Sequence, residues 1–139
     1  MANLEIIIGA AAAFMLGFGW YTFAFGKAWQ KETGITDEEA QSGMAMTHGL
    51  AFLMICVLSF GVNFVINLHP IAEQTFVHGA FHGALSGALY AVPAIAIHYL
   101  YQRKSIKLFL IDASYLIALM ALSGGVMAAL KLGVVAVEG

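Results

Sequence analysis

The sequence predicts an all-α integral membrane protein, a bundle of four transmembrane helices, on three observations. First, 61% of its 139 residues are hydrophobic and only 10% are charged, whereas a soluble domain carries about 25% charged residues. That balance excludes an ordinary soluble globule and a disordered chain. Second, the apolar residues gather into four long runs, residues 6–25, 44–68, 76–101 and 108–130, and each can supply the roughly 20 residues that a bilayer crossing needs. Third, the stretches between the runs are short and polar, so residues 1–139 form one transmembrane domain whose function sits in or at the bilayer.

The first run contains no charge and is preceded by Met1-Ala2-Asn3-Leu4-Glu5. Without a basic n-region it reads as an uncleaved span rather than a signal peptide. The polar loop 27–42 follows, and within it Thr36-Asp37-Glu38-Glu39 has the spacing of a capping box, in which a Thr hydroxyl and a Glu three residues on satisfy free N–H groups at a helix start. A helix is expected to begin near Thr36 and to continue through the second run until His69-Pro70, because proline disfavours helical geometry in its predecessor. A short turn leads into the third run, which at 1.5 Å per residue is about 39 Å long against a hydrocarbon core of about 30 Å, so it should tilt, kink at Pro93 or protrude. The fourth run carries one acid, Asp112, and a tail from Lys131 ends the chain.

With four spans, both termini and the second loop share one side of the membrane. Lys27, Lys31, Arg103, Lys104 and Lys107, every basic residue but Lys131, fall in or beside the first and third loops. The positive-inside rule places those loops in the cytoplasm and gives an N-out/C-out orientation. Trp20, Tyr21, Trp29, Tyr99 and Tyr101 gather at the same boundary, as an aromatic belt would.

Two polar layers emerge when position is converted to depth. His48, His98 and Asp112 lie about 10 to 15 Å from the midplane on the inner side, and Asn63, Asn67, His78 and His82 about 9 to 15 Å from it on the outer side. The centre between them holds little but Ser59, Ser86, Tyr90 and Ser123, which argues against a proton or ion path, since such paths carry ionisable groups at depth. Asp112 should find a partner or a water-filled cavity, because an acid inside the hydrocarbon costs on the order of 3 kcal/mol. His48, His98, Tyr115, Lys107 and Arg103 are at compatible positions, and the outcome is a structural tie or a ligand site. His78 and His82 are four apart and share a helix face, the spacing with which two imidazoles share a metal. They make half of a tetrahedral shell, which only Glu5, Glu73 or His69 at the boundary could complete, and interhelical hydrogen bonding is the alternative use of such residues.

Small residues recur every four positions in Gly9-Ala13-Gly17, Gly79-Gly83-Gly87 and Ala121-Gly125-Ala129. Such stripes let helix backbones approach closely, within the bundle or against a second copy or larger partner. Other chemistry is poorly served. The lone Cys56 excludes an intrachain disulfide and a cysteine-rich zinc site, a near-neutral charge balance gives no footprint for nucleic acid, and neither a nucleophile with its base nor a phosphate loop stands out.

Gly17-Phe18-Gly19-Trp20-Tyr21, Phe25-Gly26-Lys27-Ala28-Trp29 and Lys107-Leu108-Phe109-Leu110-Ile111-Asp112 together resemble a family of small bacterial four-helix membrane proteins known only as a domain of unknown function. The resemblance spans most of the chain. It implies a four-span bundle in a bacterial inner membrane, names no activity and no cofactor, and draws Trp20, Tyr21 and Lys27 into a ligand-binding candidate with His48, His98 and Asp112. The functional expectation is a non-enzymatic membrane protein that works by association, as a homo-oligomer or accessory subunit of a larger complex, its contacts made by Gly9, Gly17, Gly79, Gly83, Gly87 and Gly125. The alternative is binding or transport of a small molecule, lipid or metal ion through the intramembrane His and Asp residues.

Overall fold

A computed structural model describes the backbone of residues 3–138 and the side chains of residues 3–131. Seven α-helices follow one another: α1 (Leu4–Gly19), α2 (Gly26–Thr33), α3 (Asp37–Gln41), α4 (Met44–Ile66), α5 (Phe76–Ser86), α6 (Val92–Tyr101) and α7 (Ile106–Glu138). There is no strand among the described residues. Four continuous helical stretches, Leu4–Ala24, Met44–Ile66, Phe76–Tyr101 and Ile106–Lys131, are long and apolar enough to cross a membrane, and they coincide with the four runs of the sequence to within a few residues.

Two of the four contain a π-helical turn. In the third stretch, Gly87–Ala91 widens the helix just before Pro93 enters α6. A proline lacks the N–H that would bond back one turn, and its ring crowds the carbonyl there, so the extra residue in the turn is how the helix passes it. In the first stretch the turn is Trp20–Ala24, closed by the Phe25 N–H donating to the Trp20 carbonyl at 2.8 Å. No proline is involved, and nothing in the residue pattern predicts the turn.

The expected helix from Thr36 through the second run is in fact two helices. The capping box forms, with the Glu39 N–H donating to the Thr36 hydroxyl at 3.2 Å and the Thr36 N–H to the Glu39 carboxylate at 2.9 Å. However, α3 ends at Gln41, and Gly43, in the left-handed region at φ 67°, starts α4. Glycine occupies that region without a Cβ penalty, so the chain breaks there before it enters the membrane-spanning stretch. The last helix, α7, also continues through the expected tail to Glu138.

The helix α7 is the hub, packing against α5, α1 and α4. Leu119, Met120, Met127 and Ala128 are buried on it, against Ile6, Ala10 and Ala13 of α1 and Ile55, Val62 and Ile66 of α4. At the centre the Ser59 and Ser123 hydroxyls bond each other at 2.7 Å, both fully buried. Lipid tails are as apolar as the helices, so close backbone packing holds such a bundle together. The glycine stripes provide it. A Cβ on Gly79 would strike the Gly124 carbonyl and lie 2.6 Å from Ala128, one on Gly83 would strike the Met120 carbonyl, and one on Gly87 would lie 3.0 Å from the Ile117 backbone. Gly9 faces Met127 and Ser123, Gly17 faces the Tyr115 ring, and Gly125 faces Phe76. All six candidate packing glycines therefore meet neighbours in the same chain.

Candidate functional site

The bundle has two polar ends. At the end of the first and third loops, Asp112 on α7 is half-buried between two phenols: Tyr21 Oη donates to Oδ1 and Tyr99 Oη to Oδ2, each at 2.5 Å. Both tyrosines are delivered by the irregular turns, Tyr21 from within the first π turn and Tyr99 from α6 beyond the second. Trp20 Nε1 donates to the Ile111 carbonyl at 3.3 Å, and the Tyr21 ring stands against Trp29 and Tyr115 with ring centres 5.8 and 5.0 Å away. Around this clamp the loop side chains pair with one another: Ser105 with Glu32 at 2.5 Å, Lys107 with Glu32 at 3.8 Å, Gln30 with Asp37 at 2.8 Å.

Only part of the expected inner layer converges there. Tyr21 and Asp112 meet, and Trp20 seats beside them. His48 does not join them, its ring packing on Phe14 and Phe18 of α1 at 5.8 and 6.2 Å. His98 and Lys27 are exposed, and the partners of Asp112 are tyrosines rather than histidine, lysine or arginine. Tyr99, present in the sequence as a belt residue, is the member that depth alone did not single out, because hydroxyl geometry depends on how the widened turn rotates α6.

At the opposite end, α5 presents His78 and His82 on one face, as the four-residue spacing requires. The chain between α4 and α5 adds His69. One nitrogen from each imidazole lies within 4.8 Å of those of the other two. The ring centres are 4.7 Å apart for His69 and His78, 4.3 Å for His69 and His82, and 4.6 Å for His78 and His82. His69 is fixed by its surroundings: Pro70 stops the helix behind it, its carbonyl accepts from the buried Gln74 Nε2 at 2.9 Å, and the Thr75 hydroxyl caps α5 by accepting from the His78 N–H at 3.2 Å. Nearby on α4, Asn63 and Asn67 both accept from the Lys131 ammonium, the latter at 2.6 Å.

The histidine end differs in satisfaction. His69 Nδ1 and His78 Nε2 are buried without a hydrogen-bond partner, and so is Gln74 Oε1. Buried polar atoms are nearly always paired, so two unpaired nitrogens within a cluster of three imidazoles are unusual. Imidazole nitrogens bind first-row transition metals at about 2.0 to 2.1 Å, which for three ligands implies nitrogens about 3.4 Å apart. The candidate nitrogens lie within 4.8 Å of one another, so coordination requires them to approach by up to about 1.4 Å while the imidazoles turn to point inward. Glu5 and Glu73, weighed as completing ligands, are not members of the group.

The family profile of DUF1761, described as a protein of unknown function, matches residues 4–128. No curated protein and no solved structure matches the chain. The chain belongs to the DUF1761 family, in agreement with the resemblance carried by its loop motifs.

Proposed function

We propose that this DUF1761 protein is a multi-pass protein of the bacterial inner membrane that binds a transition-metal ion through His69, His78 and His82. The observation that supports it is the convergence of three imidazoles with two buried, unpartnered nitrogens among them. The role is binding rather than chemistry. The buried serines are engaged elsewhere, Ser59 with Ser123 and Ser86 with the His82 carbonyl at 2.8 Å, so none of these three hydroxyls is poised beside a base. The basic residues of the first and third loops favour a cytoplasmic position for them and an N-out/C-out orientation, which puts the three-histidine end on the outer face.

Association with a second copy or with a larger complex is the leading expectation from the sequence, on the strength of the small-residue stripes and the lack of a soluble domain. Those glycines are taken up by contacts inside the bundle, so metal binding is the reading with the more specific support. The test is to purify the protein with a tag that contains no histidine, strip it with chelator and titrate it separately with Co(II), Zn(II) and, under reducing conditions, Cu(I), measuring the bound metal after removal of the free ion. One ion per chain, lost in the His69→Gln/His78→Gln/His82→Gln variant, is expected. Equal uptake by the wild type and that variant would sink the proposal.

A further inference from the structure

The donor set says more than that a metal binds. Three neutral imidazoles form the group, and no carboxylate or thiolate of the described residues joins it. The site's net charge is therefore the charge of the ion. Metal-binding imidazoles elsewhere usually donate their second N–H to a carboxylate or carbonyl, which strengthens them as ligands for a dication. Here the buried His69 Nδ1 and His78 Nε2 have no such acceptor, and Glu73, in the turn between the two histidines, is exposed and outside the group. His78 and His82 lie near the end, at Phe76, of the third stretch long and apolar enough to cross a membrane, so the ion would sit at the membrane boundary, where charge costs more than in water. The Born cost of burying an ion grows with the square of its charge, so a dication costs about four times as much as a monocation of the same size.

Zn(II) on three imidazoles completes a tetrahedron with a fourth ligand, commonly a water whose pKa falls to about 7. At this boundary that water has no carboxylate in the group to bond to. A d¹⁰ monocation is content with three nitrogens in a plane and needs no anion. Resting on the metal-binding reading above, we propose that the ion is monovalent, Cu(I), held in a three-coordinate all-imidazole site at the outer boundary of the membrane.

The experiment is a competition under anaerobic, reducing conditions on the full chain in lipid nanodiscs. Apo-protein is given equimolar Cu(I) and Zn(II), each buffered by a chromogenic chelator of known affinity, and the bound metal is measured. One Cu(I) per chain, with an X-ray absorption spectrum of three nitrogen neighbours and no sulfur, is expected. A carboxylate placed in the site should reverse the preference: His82→Asp is expected to move the Zn(II)-to-Cu(I) ratio toward zinc by about tenfold or more. Zn(II) retained by the wild type against equimolar Cu(I) would overturn the assignment of the ion and leave metal binding standing. Binding of neither ion above the level of the triple glutamine variant would overturn both. Circular dichroism of each variant keeps a folding failure separate from a lost ligand.

Discussion

Asp112 and His78 stand at opposite ends of the same bundle, and they differ in whether the protein itself has satisfied them. The carboxylate of Asp112 receives one phenolic hydroxyl on each oxygen, whereas the histidine group leaves His69 Nδ1 and His78 Nε2 buried with none. A polar group in or near hydrocarbon is costly unless bonded. The first end has met that cost from within the chain and thereby ties α1, α6 and α7 together. The second has left it to something outside the chain. An acid in an apolar run looks functional in a sequence, yet both oxygens of Asp112 are engaged by tyrosines, and the proposed metal site lies at the histidine end.

The largest expected effect tests the unsatisfied end. Replacing His78 with Ala should weaken metal binding about 1,000-fold, or roughly 4 kcal/mol, by removing a ligand. In metal-free protein the same change should alter stability by no more than about 0.5 kcal/mol, because the buried Nε2 has no hydrogen bond to lose and, among the aromatic rings of the described residues, its ring packs only on two other imidazoles. Titration and thermal unfolding of the apo-protein check the two halves separately. A large loss of apo stability would erase the contrast between the ends.

The opposite outcome is expected at the other end. Asp112→Ala leaves two tyrosine hydroxyls without acceptors and should cost about 3 kcal/mol, read as a lower unfolding midpoint in mild detergent. Asp112→Asn, which keeps an acceptor for one phenol and a donor for the other, should recover most of that loss. Tyr99→Phe, which removes a single hydrogen bond and keeps the ring, should cost about 1 kcal/mol. Added metal should change none of these losses, since the two ends share no ligand.

Much of this was legible in the sequence, and the exceptions have physical causes. The four membrane-spanning stretches follow from hydropathy, the capping box at Thr36 from its spacing, and the pairing of His78 with His82 from helical period. The break at Gly43 was hidden because a glycine between the capping box and the second run can sit within a helix or end it, and only the left-handed backbone, at φ 67°, distinguishes its role there. Tyr99 and the Trp20–Ala24 π turn were hidden for a related reason. Depth along a regular helix gives height but not azimuth, and each widened turn rotates the next stretch of helix by an amount the residue spacing does not encode. His69 lies in the chain between α4 and α5, and its approach to His78 and His82 depends on how Pro70 and Gln74 fold that turn, which residue spacing does not encode.

The smallest effect sharpens the contrast on the loop side, where the polar groups pair among themselves. Glu39 closes the capping box of α3 in full exposure, and hydrogen bonds from the Thr36 backbone N–H and then the Thr36 hydroxyl hold its carboxyl below the usual carboxylate range. A lowered folded-state pKa means that the unfolded helix binds the proton more readily. The carboxylate's contribution is therefore complete above the unfolded value of about 4.3 and is lost as pH falls through the lower folded value. Bundle stability should barely register this, because α3 lies outside the four membrane-spanning stretches. Amide hydrogen exchange at Thr36 should register it: protection is constant from neutral pH down to about 4.3, then declines, and Glu39→Ala lacks it throughout. Protection that already fails well above that pH would place the Glu39 carboxyl outside the box in solution, and the loop side would then be less completely paired than its hydrogen bonds imply.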